Sequence, residues 1–152
     1  MANEVHLTSE FIYRRLAADA PLVALISSTD PVTHVVTIRV YHEFGGSAAA
    51  YPHVLILFRA ATDVNTVGAG GRIFTRPLFL VEAVTQENSW LGAQAIADRL
   101  EVALMGVGGI QGPVNIGPLY GEAPMRRLEI TPEGQRLNHL GRSWRTLVSS
   151  LP

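Results

Sequence analysis

Three apolar, strand-like runs followed by one amphipathic helix limit the folds open to this chain more than any other feature. The runs occupy residues 35–41, 53–60 and 72–84 and are rich in the β-branched and aromatic residues that favour strands. Residues 89–105 instead carry apolar side chains at the spacing of a helix that buries one face, namely Ala93, Ile96, Ala97, Leu100 and Leu104. This order predicts a small α+β scaffold joined by Gly- and Ala-rich loops.

Two short helical segments are predicted before the first strand. Residues 9–18 form the first, with Thr8 or Ser9 as its N-cap. Asp19 then caps a second segment at residues 22–26, and the proline before it fits a first helical turn.

The rest of the chain alternates loops with strands. Residues 61–71 read as a long hairpin connection, and Pro77 inside the third run indicates an edge strand or a bulge. Residues 106–118 are too rich in Gly and Pro for a regular element. Strand character resumes at 119–131, and residues 132–134 form a tight turn.

The last segment, residues 135–151, fits two structures. Gly141 and the turn before the segment favour an antiparallel strand. The apolar positions have helical spacing instead: Leu137, Leu140, Trp144, Leu147, Val148 and Leu151.

The length of 152 residues is that of one domain, 1–152, and the 47% hydrophobic content is enough for a core. The elements together predict a mainly antiparallel sheet of four to five strands, packed by one long helix and a short N-terminal helix. The chain has no Cys, which excludes disulfides, thiolate nucleophiles and zinc ribbons. Without a signal peptide or an apolar run of about 20 residues, we expect a soluble chain made in the cytosol.

Charge is divided unevenly along the chain. Residues 1–125 carry seven Arg against eleven acidic residues, a net of −4, whereas residues 126–152 carry five Arg against two, a net of +3. This split could supply two complementary patches for contacts between copies, or it could be a solvated basic strand. All twelve basic residues are Arg, which suits interfaces but is also what a GC-rich coding genome produces.

No motif in the sequence supports catalysis. His42 and Glu43 begin like a zinc-protease helix, but position 46 is Gly where a second His is required. The glycines of 106–112 and 68–71 lack the strand-to-helix context of a nucleotide site. No Gly-x-Ser-x-Gly motif occurs. We therefore predict a non-enzyme without catalytic, cofactor-binding or metal-binding residues.

The two tryptophans have different sequence contexts. Trp90 stands at the start of the long helix, where it would cover the sheet. Trp144 lies between Arg142 and Arg145 and is the better candidate for a protein-contact anchor. Packing in the core is the default interpretation for both.

Five segments together resemble the tail-completion, or tail-terminator, proteins of long-tailed bacteriophages and gene transfer agents. They are Ala-Ala-Asp-Ala-Pro-Leu-Val-Ala-Leu-Ile at 17–26, Arg-Val-Tyr at 39–41, Tyr-Pro-His-Val at 51–54, Ala-Ile-Ala-Asp-Arg-Leu-Glu-Val-Ala-Leu at 95–104 and Asn-His-Leu-Gly-Arg-Ser-Trp-Arg at 138–145. The last of these is similar to the family's closing strand, which favours the strand interpretation of residues 135–151.

The resemblance implies a virion structural subunit, assembled in the bacterial cytoplasm, that forms a ring, typically a hexamer. Such a ring caps the tail tube at its head-proximal end, stops tube polymerisation and receives the head-completion or connector protein. The implied partners are copies of itself, the tube protein and the connector, with no membrane and no sequence-specific nucleic acid, although DNA could pass through the pore.

The interface candidates lie in the hairpin connection and the basic C-terminal segment. Two other functions stay open: another neck or tail part, such as a head–tail connector or tube subunit, and a small ligand-binding or enzymatic domain. The candidates are Asp63, Val67, Arg72, Arg126, Arg127, Arg142, Trp144 and Arg145.

Overall fold

The computed structural model describes residues 2–43, 50–65 and 72–151. Within these residues it contains three helices and ten strands. The helices are α1 (Ala2–Ala17), α2 (Ala20–Ile26) and α3 (Leu91–Leu104). The strands are β1 (Ser27–Thr29), β2 (Val36–Ile38), β3 (Val40–His42), β4 (His53–Asn65), β5 (Arg72–Thr85), β6 (Gly109–Gln111), β7 (Val114–Ile116), β8 (Tyr120–Ile130), β9 (Arg136–Arg145) and β10 (Val148–Ser150).

One curled, eight-stranded mixed sheet organises the molecule. β5 is its centre. β4 pairs with one side of β5, and on the other side β10 pairs at Thr75 and β9 pairs with residues 78–85. β8 continues the sheet beyond β9, while β7 and β6 continue it beyond β10. β3 joins β4 in parallel, and β1 and β2 form a separate two-stranded sheet.

The predicted fold class is therefore wrong in its architecture. The described residues are mostly β, in an eight-stranded half-barrel with three helices, and not a four- to five-stranded antiparallel sheet with one long helix. The segment 35–41 is split between two sheets, and its break falls at Arg39, whose guanidinium donates to the Tyr51 carbonyl (2.8 Å). The stretch 106–118, predicted to be irregular, contributes two short strands.

Pro77 lies in the central strand, so the predicted edge position is wrong. On one side of β5, Thr75 pairs with Val148 of β10, and from Leu78 onward the partner is β9. Pro77 falls between the residue that pairs with β10 and those that pair with β9. On this side of β5, no hydrogen bond between strands is therefore lost to its missing N–H. A register shift between Phe58 and Ala60 in β4 lies beside it, as the alternative prediction of a bulge implies.

The three helices cover one face of the sheet and form the main core with it. On β5 the core side chains alternate, and each pairs across the sheet with a core residue of a neighbouring strand: Phe79 faces Trp144, Val81 faces Ile56, and Ala83 faces Val54. From the helices the core receives Ile12, Leu16, Leu22, Ile26, Ile96, Leu100 and Leu104.

The first helix begins earlier than predicted. α1 starts at Ala2, so Thr8 is inside the helix and its hydroxyl donates to the Glu4 carbonyl (2.7 Å), in place of the predicted cap. Residues 2–6 show no apolar periodicity of a helix, so the sequence does not predict this first turn. Packing against the sheet stabilises it instead. Asp19 does cap α2, accepting from the Leu22 N–H at 2.9 Å.

Asp19 also clamps α2 to α3. Arg99 donates from Nε and Nη2 to the two carboxylate oxygens at 2.7 and 2.5 Å. This bidentate hydrogen bond, with the Leu22 N–H, holds the pKa of Asp19 below its ordinary value of 3.8. The clamp joins two helices that are far apart in the sequence.

Replacing Asp19 by asparagine keeps a good N-cap but removes the charge. We expect a loss of about 1 to 2 kcal/mol in the free energy of unfolding at neutral pH. Because the folded-state pKa is lowered, the difference from the parent chain should hold above pH 4 and shrink as pH falls below it.

Urea titrations across pH measure this loss, with Asp98→Asn as the control. Asp98 is exposed on α3 and accepts one hydrogen bond from Gln94, so its loss should be near zero. A difference that persists unchanged at acid pH would contradict the charge as its source.

Within the ranges described above, no helix is long and apolar enough to span a membrane.

Candidate assembly interface

A long hairpin arm, made of residues 57–65 of β4 and 72–78 of β5, extends past the part of β4 that pairs with β3. Thr75 Oγ1 lies 2.9 Å from Asp63 Oδ1 and 3.3 Å from Glu4 Oε2, which ties the arm to α1. The candidate Asp63 is exposed on this arm, and Arg72 begins β5. The candidate Val67 lies outside the described residues.

The basic C-terminal segment is largely neutralised within the fold. Arg142 lies 3.5 Å from Glu101 of α3, and Arg145 donates to Glu122 of β8, lowering the pKa of Glu122. The Arg126 guanidinium sits 4.1 Å above the Trp90 ring. Because these arginines already contact acidic or aromatic side chains of the same chain, the net charges of −4 and +3 along the sequence do not produce a free basic patch and a free acidic one on the surface.

Trp144 is a core residue. Only 1% of it is exposed, and it lies opposite Phe79 in the sheet. This is the default interpretation given by the sequence, so the indole is not available at the surface of one protomer. Arg145, the next residue in β9, faces the opposite side of the sheet, whereas Arg142 lies two residues away on the same face and reaches Glu101 of α3.

The opposite face of the sheet buries a cluster of ionisable side chains that the sequence does not bring together. Glu82 is 1% exposed, and its Oε1 lies 2.9 Å from Nδ1 of the buried His139. His139 Nε2 lies 3.2 Å from Glu129, and Arg127 approaches Glu82 to 3.7 Å. The cluster joins β5, β8 and β9. The neighbouring His53 is also buried, and this burial lowers the pKa of the His53 imidazole. In the sequence, the signal for this cluster is that Glu82 is the one acidic residue in the apolar run 78–84.

A groove between α1 and β3 aligns a serine, a histidine and a glutamate. Ser9 Oγ lies 2.7 Å from His42 Nδ1, and His42 Nε2 lies 3.8 Å from Glu10. These residue types suit nucleophilic catalysis, but the Glu10 and His42 side chains are about one-third exposed. Ser9 lies inside α1, whose N–H groups are used by the helix, so they cannot stabilise an oxyanion. We interpret the series as a surface contact between α1 and β3.

Metal binding has no visible site in the parts of the chain that the structure covers. No group of three or more His, Asp or Glu side chains there is placed to hold an ion.

Several of the exposed apolar side chains are close together in the sequence. The β1–β2 hairpin exposes Val32, Val35 and Val36, and β8 exposes Leu128 and Ile130 by half or more. Clustered exposed apolar residues indicate protein contacts, whereas scattered ones do not. The β1–β2 hairpin and the end of β8 each hold such a group.

The same fold occurs in a solved structure described as the virion of a native gene transfer agent particle. One of its chains superposes with a TM-score of 0.63 at 20% sequence identity, over 91% of this chain and 92% of that chain. A second solved protein gives a TM-score of 0.50 at 16% identity, over 76% of this chain and 82% of that one. No family model and no curated protein matches the sequence. At these identities the likeness is one of fold.

Proposed function

We propose that this protein is a virion structural subunit and acts as a tail terminator. The observation that carries the proposal is the fold shared with a chain of a gene transfer agent particle over nine-tenths of both chains. The resemblance of segments 17–26, 39–41, 51–54, 95–104 and 138–145 to tail-completion proteins gives the specific role.

In this role copies of the chain close into a ring, with six subunits as the expected number. The ring caps the head-proximal end of the tail tube, stops its growth and receives the connector. Its place is the head–tail junction of the virion, and it is assembled in the bacterial cytoplasm. The hairpin arm and the exposed residues of β8 are surfaces that such a ring could use.

The test is assembly with a tail-tube protein. We expect rings of the purified protein in electron micrographs, or rings at tube ends once tube protein is added, and shorter tubes as its concentration rises. Tube protein alone is the control for length. A chain that stays monomeric at high concentration and leaves tube length unchanged would contradict the proposal.

The main alternative is another neck or tail component, because these proteins also form rings. Incubation with purified connector rings and with tubes separates the two functions. A terminator should bind tube ends in the absence of connector, whereas binding to the connector alone would favour a head–tail connector role.

A further inference from the structure

The outer edge of β8 is open for strand pairing. Among the described residues, β8 pairs with β9 alone. The Thr131 N–H donates to the Gln135 carbonyl across the turn, so the backbone groups of Thr131 point toward β9. Backbone groups in an antiparallel strand alternate in direction. Those of Arg126, Leu128 and Ile130 therefore point away from β9.

Protection against pairing is confined to one end of this edge. Pro124 and the register shift between Gly121 and Pro124 interrupt the first part of β8, whereas residues 126–130 continue in regular register with β9. Exposed strands are normally blunted by free charges, and β8 does carry Arg126 and Arg127. However, Arg126 lies over Trp90, and Arg127 turns toward Glu82 on the opposite face. Leu128 and Ile130, which remain at the edge, are 50% and 60% exposed.

A second open edge lies on the far side of the same sheet. β3 pairs with residues 54–56 of β4, and beyond them no described strand covers residues 57–65 on that side. The middle of this stretch carries the small side chains of Ala60, Ala61 and Thr62, next to the register shift at Phe58/Ala60 and between the exposed Arg59 and Asp63. Small residues leave room for larger apolar side chains on an adjacent strand.

We propose that the outer edge of β8 pairs with residues 57–65 of β4 in a second copy of this chain, continuing the sheet from one subunit to the next. Two different edges on opposite sides of one sheet form a heterologous contact, which repeats in one direction and can close into a ring. The inference rests on the proposed function, for which it names the contact between subunits.

Because the chain has no Cys, two introduced cysteines can report this contact. In Ala61→Cys/Leu128→Cys, a short bismaleimide should give a ladder of cross-linked species that ends at the ring size. Each single variant should give none. The matched control Ala61→Cys/Val102→Cys moves one thiol to α3, where Val102 is 65% exposed, and should also give none.

A proline tests the backbone contact itself. Leu128→Pro removes an N–H that points away from β9, so the subunit's own ladder is kept. We expect the concentration for half-assembly to rise about tenfold relative to Leu128→Ala, which removes the same side chain but keeps the N–H. Circular dichroism of both variants verifies folding.

The other outcomes overturn the inference. Cross-linking by Leu128→Cys alone would show a symmetric β8–β8 contact. Rings without the ladder, or equal assembly of the proline and alanine variants, would place the contact elsewhere and leave the terminator role intact. A chain that neither cross-links nor assembles, with or without tube protein, would overturn both.

Discussion

Replacing Trp144 by alanine is expected to lower the free energy of unfolding by about 3 to 5 kcal/mol. The indole is 1% exposed between the sheet and the helices, and its removal leaves a cavity that fixed strands cannot close. Urea denaturation at several protein concentrations measures the loss. Because Trp144 packs within one protomer, the loss should be the same at every concentration.

Trp90→Ala is the control for this substitution. Trp90 is half-buried at the start of α3, and its main contact is with the Arg126 guanidinium. We expect a loss of about 1 kcal/mol. If Trp144→Ala left the protomer's stability intact and prevented ring formation, Trp144 would be an interface anchor and the core assignment would be wrong.

Replacing Gly141 by alanine should cost about 3 kcal/mol, or roughly 10 °C in Tm. A Cβ built on Gly141 would lie 2.2 Å from the Val81 carbonyl oxygen and 2.6 Å from the Glu82 Cα. Both are backbone atoms of the central strand, so β9 would have to move away from β5. Thermal denaturation by circular dichroism measures the effect.

The matched control is the same substitution at Gly92 in α3. There the new Cβ would meet only the carboxylate of Glu87, a flexible side chain that can turn aside. Alanine also favours the helix by about 0.5 to 1 kcal/mol. Equal effects at Gly141 and Gly92 would mean that β9 does not pack against β5 as closely as described.

The sequence predicted those elements whose apolar periodicity is long and continuous. α3, β5 and the strand at 119–131 were found, whereas the run predicted at 53–60 covers only the first part of β4, which continues to Asn65 into the predicted hairpin connection. The ambiguous segment 135–151 proved to be strands β9 and β10, as the family resemblance favoured. Periodicity alone favoured a helix there, since a strand buried on both faces has no simple alternation.

What sequence could not supply is the pairing between distant strands. Short strands such as β6 and β7 carry three residues each, too few for any period, and they form because β7 pairs with β10 and β6 pairs with β7. The Glu82–His139 contact likewise joins residues on two strands and cannot be seen in either alone. The contacts of Arg142 and Arg145 with acidic side chains of the same chain also depend on tertiary packing, which the sequence does not show.

The central position of β5 has a consequence for biosynthesis. Its second flank is filled by β9 and β10, which the ribosome makes long after β5 itself. Such a topology, rich in contacts between distant parts of the chain, folds slowly. Until β9 has been synthesised, the flank of β5 that it covers stays open and β8 lacks the strand with which it pairs.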